Sequence, residues 1–192
     1  AVVRSRRMAD SMEQLLGAEV YHYHHKMMLK EPRVGGAWEW HQDYGYWYRD
    51  GFMYPDMLSV LTALTPATRE NGCLQVLKGS HRLGRLEHKF AGEQVGAEME
   101  RVEEATRRLE LVHVEMQPGD SLFFHSNLLH RSDSNRSDHP RLSLISVYNI
   151  ITNKPFKGNN TSSWTPIEKV HDDAILETEV KGISETVNFN HK

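Results

Sequence analysis

A single cysteine, Cys73, stands in the 192 residues. No internal disulfide framework can form, and the chain suits a reducing, cytoplasmic compartment. No apolar run approaches the roughly 18 residues that a membrane-spanning helix needs, and no signal peptide is recognisable at the start. Positive charge is not in excess: 23 Lys and Arg face 26 Asp and Glu, a net charge of −3. The one dense basic cluster, Arg-Ser-Arg-Arg from Arg4 to Arg7, reads as a helix start rather than a nucleic-acid arm. Internal repeats, heptads and low-complexity tracts are also absent from the sequence.

What remains is a composition of 39% hydrophobic and 26% charged residues, that of an ordinary globular chain. Its length suits one domain over 1–192, with a polar C-terminal extension from 153 to 192. The chain begins AVVRSRR without an initiator methionine, which leaves room for a preceding segment. Sequons at Asn135, Asn159 and Asn160 are read as unmodified asparagines.

The helical spacing of Met8, Met12, Leu15 and Leu16 predicts a helix over residues 5–17, closed by Gly17. Strands are expected at AEVYHYHHKMMLK, MLSVLTAL, CLQVL, LELVHVEM, SLFFHSNLLH and RLSLISVYNI. EPRVGGAWEW and KGSHRLG read as loops, DYGYWYRDGFMYPD has too many turn formers to be one regular element, and Glu93 to Arg108 reads as an exposed helix. Many short strands between Gly, Pro, Asn and Asp turns favour an all-β sandwich or roll over an alternating α/β sheet.

Twelve histidines are many for this length, so position has to separate them. In EWHQDYGYW, His41 and Asp43 stand one residue apart; if the stretch is extended, both side chains share a face. His130, at the end of SLFFHSNLLH, is the best third ligand. Two histidines and a carboxylate form the facial set that holds non-haem Fe(II) with open positions for other ligands. Arg141 follows eleven residues later, with Ser143 two further on the same face. A guanidinium and a hydroxyl there suit the distal carboxylate of 2-oxoglutarate. Among the aromatics around the first ligands, Tyr44 and Trp47 are the preferred pocket residues. HYHH, from His22 to His25, would be split across two strand faces and reads as core or pocket lining. His81 and His125 read as bracing or packed residues, Asn127 as a candidate supporting residue, and Cys73 as a buried structural thiol.

His41-x-Asp43, then ENGCLQVLKGSH, then His130 and Arg141 resemble the phytanoyl-CoA dioxygenase family of Fe(II)/2-oxoglutarate oxygenases, which includes ectoine hydroxylase. The resemblance runs from about Val20 to Tyr148. It implies a mainly β fold, a double-stranded β-helix or cupin-like jelly roll with flanking helices. It also implies that His41, Asp43 and His130 hold Fe(II), that Arg141 and Ser143 grip 2-oxoglutarate, and that O2 takes the last position. Lys30 is expected on 2-oxoglutarate by the same resemblance, and His24 on the substrate, where ectoine hydroxylase has a glutamine. Asp43 stands where halogenating members carry a small residue, which favours hydroxylation of a small organic molecule with release of succinate and CO2. A cupin-like protein that binds metal or ligand without turnover is the alternative, and a zinc hydrolase a weaker one.

Overall fold

Ser5 starts the first helix: its hydroxyl accepts the Met8 N–H at 3.4 Å, and its N-cap geometry is extended. Gly17 ends it in the left-handed region, at φ 70°, with its N–H on the Glu13 carbonyl. The computed structural model describes residues 1–91, 94–157 and 165–179. In chain order the elements are α1 (Arg6–Leu16), β1 (Val20–Lys30), β2 (Trp38–His41), α2 (Asp43–Trp47), β3 (Met57–Ala63) and β4 (Leu74–Leu77). There follow β5 (His88–Ala91), β6 (Gln94–Ala97), α3 (Met99–Arg108), β7 (Leu111–Val114), β8 (Ser121–His125), β9 (His130–Ser132) and β10 (Arg141–Ile150).

Two four-stranded antiparallel sheets, ordered β1-β10-β3-β8 and β2-β9-β4-β7, form the roll, and β5-β6 is a separate hairpin. Leu61, Phe124 and Ile145 of the first sheet meet Leu74 and Val114 of the second, which closes one end of the space between them. Helix α1 covers the outer face of the first sheet, where Met12 packs with Val20, Val60 and Tyr148. Helix α3 covers the second, with Val102 and Ala105 against Trp40, Leu77 and Leu129. The chain is thus a jelly roll with flanking helices, and the opposite end of the roll stays open.

Several elements differ from expectation. The loop EPRVGGAWEW ends in strand β2, because Trp38 and His41 pair with Ser132 and His130. The helix expected from Glu93 begins only at Met99; Gln94–Ala97 pairs instead with His88–Ala91, while Glu93 lies outside the described residues. DYGYW, with no regular element expected, coils into α2. The loop KGSHRLG contains a short 3-10 turn at Ser80–Leu83.

Beyond β10, Lys169 reaches Asp10 at 2.7 Å and Glu13 at 2.6 Å, and Val170 bridges Ser5 in parallel, so this stretch docks on α1. Asn135 is buried, and its Nδ2 donates to the Lys30 and His139 carbonyls, which leaves that sequon no free amide. Asn159 and Asn160 lie outside the described residues. Among the described residues no helix is long and apolar enough to cross a membrane.

Candidate metal centre

Antiparallel pairing of β2 with β9 sets His41 directly opposite His130, with ring centroids 4.1 Å apart. Each ring is fixed the same way. His41 Nδ1 meets the Glu39 carbonyl at 2.7 Å and His130 Nδ1 meets the Leu128 carbonyl at 2.8 Å. A carbonyl can only accept, so the proton sits on Nδ1 and the Nε2 lone pair faces inward. Asp43 Oδ1 lies 4.0 Å from Nε2 of His41 and 3.7 Å from that of His130. One donor atom from each of the three residues falls within 4.8 Å of the other two. Asp43 Oδ2 is taken by the Ser59 hydroxyl at 2.6 Å, which leaves Oδ1 for the centre.

Asp43 reaches this position by a route other than a strand. It is the first residue of α2, and Gln42 between the two is extended, at φ −115° and ψ 133°. The residues of α2 and its exit that face the open end, Asp43, Tyr46, Trp47 and Asp50, follow the helical spacing i, i+3, i+4, i+7. Burial, then the nearby His130, lowers the His41 pKa to about 3. Burial alone would raise Asp43, but His130, His41 and the Ser59 hydrogen bond bring it below the usual carboxylate value. A neutral imidazole and an ionised carboxylate are the protonation states that metal binding needs. Two imidazole nitrogens and one carboxylate oxygen fit Fe(II).

The three groups open into a cavity of about 610 Å³ between the sheets. Arg141 lies on its wall, 5% exposed, with Nη1 on the Gly72 carbonyl and Nε without a partner among the described residues. Ser143 shares its face of β10 and is buried, but it is not among the lining residues. His24 and Trp47 line the cavity; Tyr44 does not. The helical turn of α2 carries Tyr44 to the other side, where its hydroxyl donates to the Phe52 carbonyl at 3.1 Å. Lys30 is also off the wall: its ammonium donates to the Gly36 and Asp133 carbonyls at 2.6 and 2.5 Å. Burial, then the charge of Arg141, lowers its pKa to about 8.

A scan against family models matches residues 1–143 to "Phytanoyl-CoA dioxygenase (PhyH)". The chain belongs to the phytanoyl-CoA dioxygenase family. A family relative, L-proline trans-4-hydroxylase of Streptomyces griseoviridis, is 33% identical over 171 residues, covering 80% of this chain and 63% of the relative. Ectoine dioxygenase of Sphingopyxis alaskensis is 31% identical over 196 residues, 94% of this chain and 64% of the relative. Among solved structures, EctD from S. alaskensis with bound Fe superposes with a TM-score of 0.75 at 27% identity, covering 88% of this chain and 62% of that one. The same enzyme with 2-oxoglutarate and 5-hydroxyectoine gives 0.71 at 29%, covering 88% and 59%. The chain spans less than two thirds of the length of these relatives.

Within this family frame the ENG and GSH motifs have local physical reasons. Gly72 has φ 76°, and a Cβ there would overlap the Asp133 carbonyl, so only glycine presents its own carbonyl to Arg141. Ser80 Oγ accepts the Leu129 N–H at 2.8 Å, next to His130. On β1 the register slips between His22 and His24. The bulge lets both Tyr23 and His24 line the cavity, followed by Lys26 and Met28. His22 and His25 pack against each other with tilted rings, centroids 5.1 Å apart, and do not line it. His81 and His125 face each other at 5.8 Å. Cys73 is buried and its thiol pKa is raised, first by burial and then by Glu115, with Arg141 near enough to oppose the rise. Sequence reasoning missed Ser59 and His88, which come from distant segments with no motif of their own, and Gln42, which stands between the two ligands.

Proposed function

We propose that this chain carries the catalytic roll of an Fe(II)- and 2-oxoglutarate-dependent dioxygenase that hydroxylates a small organic substrate. The observation that supports it best is a His41–Asp43–His130 donor set in the same cavity as a buried Arg141 whose Nε has no partner among the described residues. With iron, 2-oxoglutarate and O2 bound, such a site couples conversion of the keto acid to succinate and CO2 with hydroxylation of the substrate.

The chain's own residues supply binding, orientation and exclusion of water. His41 and His130 offer Nε2 and Asp43 offers Oδ1 to the iron, while Ser59 keeps the carboxylate from turning. Arg141 grips the distal carboxylate of 2-oxoglutarate from the cavity wall, with Ser143 buried behind it on the same strand face. Lys30 acts on that carboxylate as a nearby charge, because two of its three ammonium hydrogens are engaged with loop carbonyls. A metal-binding roll without turnover would leave the buried guanidinium with no ligand to grip.

At the open end the cavity is walled by Tyr23, His24, Tyr46 and Trp47. Lys26 and Asp50 also line it; among the described residues neither makes an ion pair, and Asp50 accepts the Tyr23 hydroxyl at 3.4 Å. Separated opposite charges beside aromatic faces suit a small molecule that carries both a cation and an anion. L-proline, named for one relative, is such a molecule. Anaerobic addition of Fe(II) and 2-oxoglutarate, then O2 with a panel of amino acids and their methyl esters, tests this. Iron-dependent succinate release stimulated by free amino acids and not by the esters is expected. No succinate under any condition would sink the enzyme reading, and stimulation by uncharged compounds alone would sink the substrate class.

A further inference from the structure

Gln42, the residue between His41 and Asp43, is fully buried, and its side chain bridges three segments. Nε2 donates to the Gly84 and Asn127 carbonyls, both at 2.8 Å, and Oε1 accepts the Leu86 N–H at 2.7 Å. Two carbonyls and one N–H fix which end of the amide is which. The backbone N–H of Gln42 donates to His88 Nε2 at 3.0 Å. His88 Nδ1 faces the Leu86 carbonyl at 3.0 Å, which puts the proton on Nδ1 and the acceptor lone pair on Nε2. The His88 ring also lies where a Cβ of residue 45 would be, so Gly45 in α2 makes room for it.

These contacts act on the one joint that matters to the donor set. His41 ends a strand and Asp43 begins a helix, so rotation about Gln42 would move one donor away from the other. Asn127 stands three residues before His130, so the Gln42 amide also ties the His41–Asp43 stretch to the segment carrying the third donor. The 84–88 strap holds the same joint from the opposite side, and Arg49, after α2, donates to the His88 carbonyl.

We propose that Gln42 and His88 are positioning residues for metal binding: together they clamp the strand-to-helix joint so that three donors converge before the ion arrives. The proposal rests on the reading of His41, Asp43 and His130 as a metal site. A site ordered in advance pays less reorganisation on binding. Supporting hydrogen bonds around metal ligands typically account for about 10- to 100-fold in affinity.

The test uses Co(II) as probe, with affinity from calorimetry and site geometry from the visible d–d bands. Gln42→Leu and His88→Ala should bind Co(II) about 10- to 100-fold more weakly with altered bands, and His88→Gln should recover part of the loss by restoring an acceptor. Met12→Ala, in the core under α1, is the control: it should lower the melting temperature and leave Co(II) affinity unchanged. Gln42→Leu binding as tightly as wild type, or Met12→Ala losing as much affinity, would overturn the clamp. If Gln42→Leu does not fold, the His88 pair decides: equal affinity of His88→Ala and wild type rejects the proposal. Absence of Co(II) binding by the wild type would instead reject the metal-site reading beneath it.

Discussion

Ser59 on the central strand β3 donates its hydroxyl to Asp43 Oδ2 at 2.6 Å, so only Oδ1 faces the two histidines. A carboxylate that would otherwise rotate is held in one orientation by a residue sixteen positions away. Ser59→Ala should weaken Fe(II) binding by about 10-fold, within the range for lost supporting hydrogen bonds. Anaerobic titration measures it, and unchanged affinity would show that Ser59 does not orient the carboxylate.

Arg141→Ala should leave metal binding intact and raise the 2-oxoglutarate requirement. Truncating one partner of a buried charged pair costs about 2 kcal/mol or more, which is roughly 30-fold in affinity. Steady-state KM for 2-oxoglutarate, beside the metal affinity of the same variant, separates the two effects. An unchanged KM would remove Arg141 from the cosubstrate site.

Gly72→Ala meets two obstacles, a φ of 76° and the Asp133 carbonyl. A non-glycine residue held there costs about 1–3 kcal/mol. The melting temperature should fall, and KM for 2-oxoglutarate should rise because the carbonyl that holds Arg141 moves. A stable variant with normal KM would show that Arg141 needs no such anchor.

His22 gives the protein an acid-sensitive stability. Its Nε2 is buried without a hydrogen-bond partner among the described residues, and burial, then His25 and His24, lowers its pKa to about 4. The unfolded chain titrates near the ordinary histidine value of about 6.5. Between those values the unfolded state binds more protons, so stability is full above pH 6.5 and falls as pH drops toward 4. His41, lowered to about 3, adds to the same slope. Urea midpoints in EDTA at pH 7 and pH 5 should differ less in His22→Leu than in wild type. An equal difference would place the acid sensitivity elsewhere.

Much of the site could be read from short-range pattern. His130 and Arg141 lie at the starts of successive strands β9 and β10, so their spacing is set by one turn-rich loop. Residues whose direction depends on an element boundary were harder. Tyr44 stands among the aromatics beside the first ligands, which points it to the pocket; once DYGYW coils, Tyr46 and Trp47 turn inward and Tyr44 turns away. The helical spacing Asp43, Tyr46, Trp47, Asp50 was present in the sequence and could have shown this. The sequence does not show that a loop folds back over Lys30 and supplies two carbonyls to its ammonium. Gln94–Ala97 joined a hairpin because its partner His88–Ala91 was available, a pairing that local propensity does not contain.

The sequence by itself determined the strand-rich roll, the two histidines and aspartate, and the arginine that follows them, because these depend on alternation, turn residues and short spacings. The tertiary structure decided how the donors are held. Ser59, Gln42 and His88 reach Asp43 and its neighbours from β3, the ligand joint itself and the 84–88 strap, and such long-range hydrogen bonds exist only once the chain has closed. Donor identity is a property of residues; donor geometry is a property of the packed backbone that carries them.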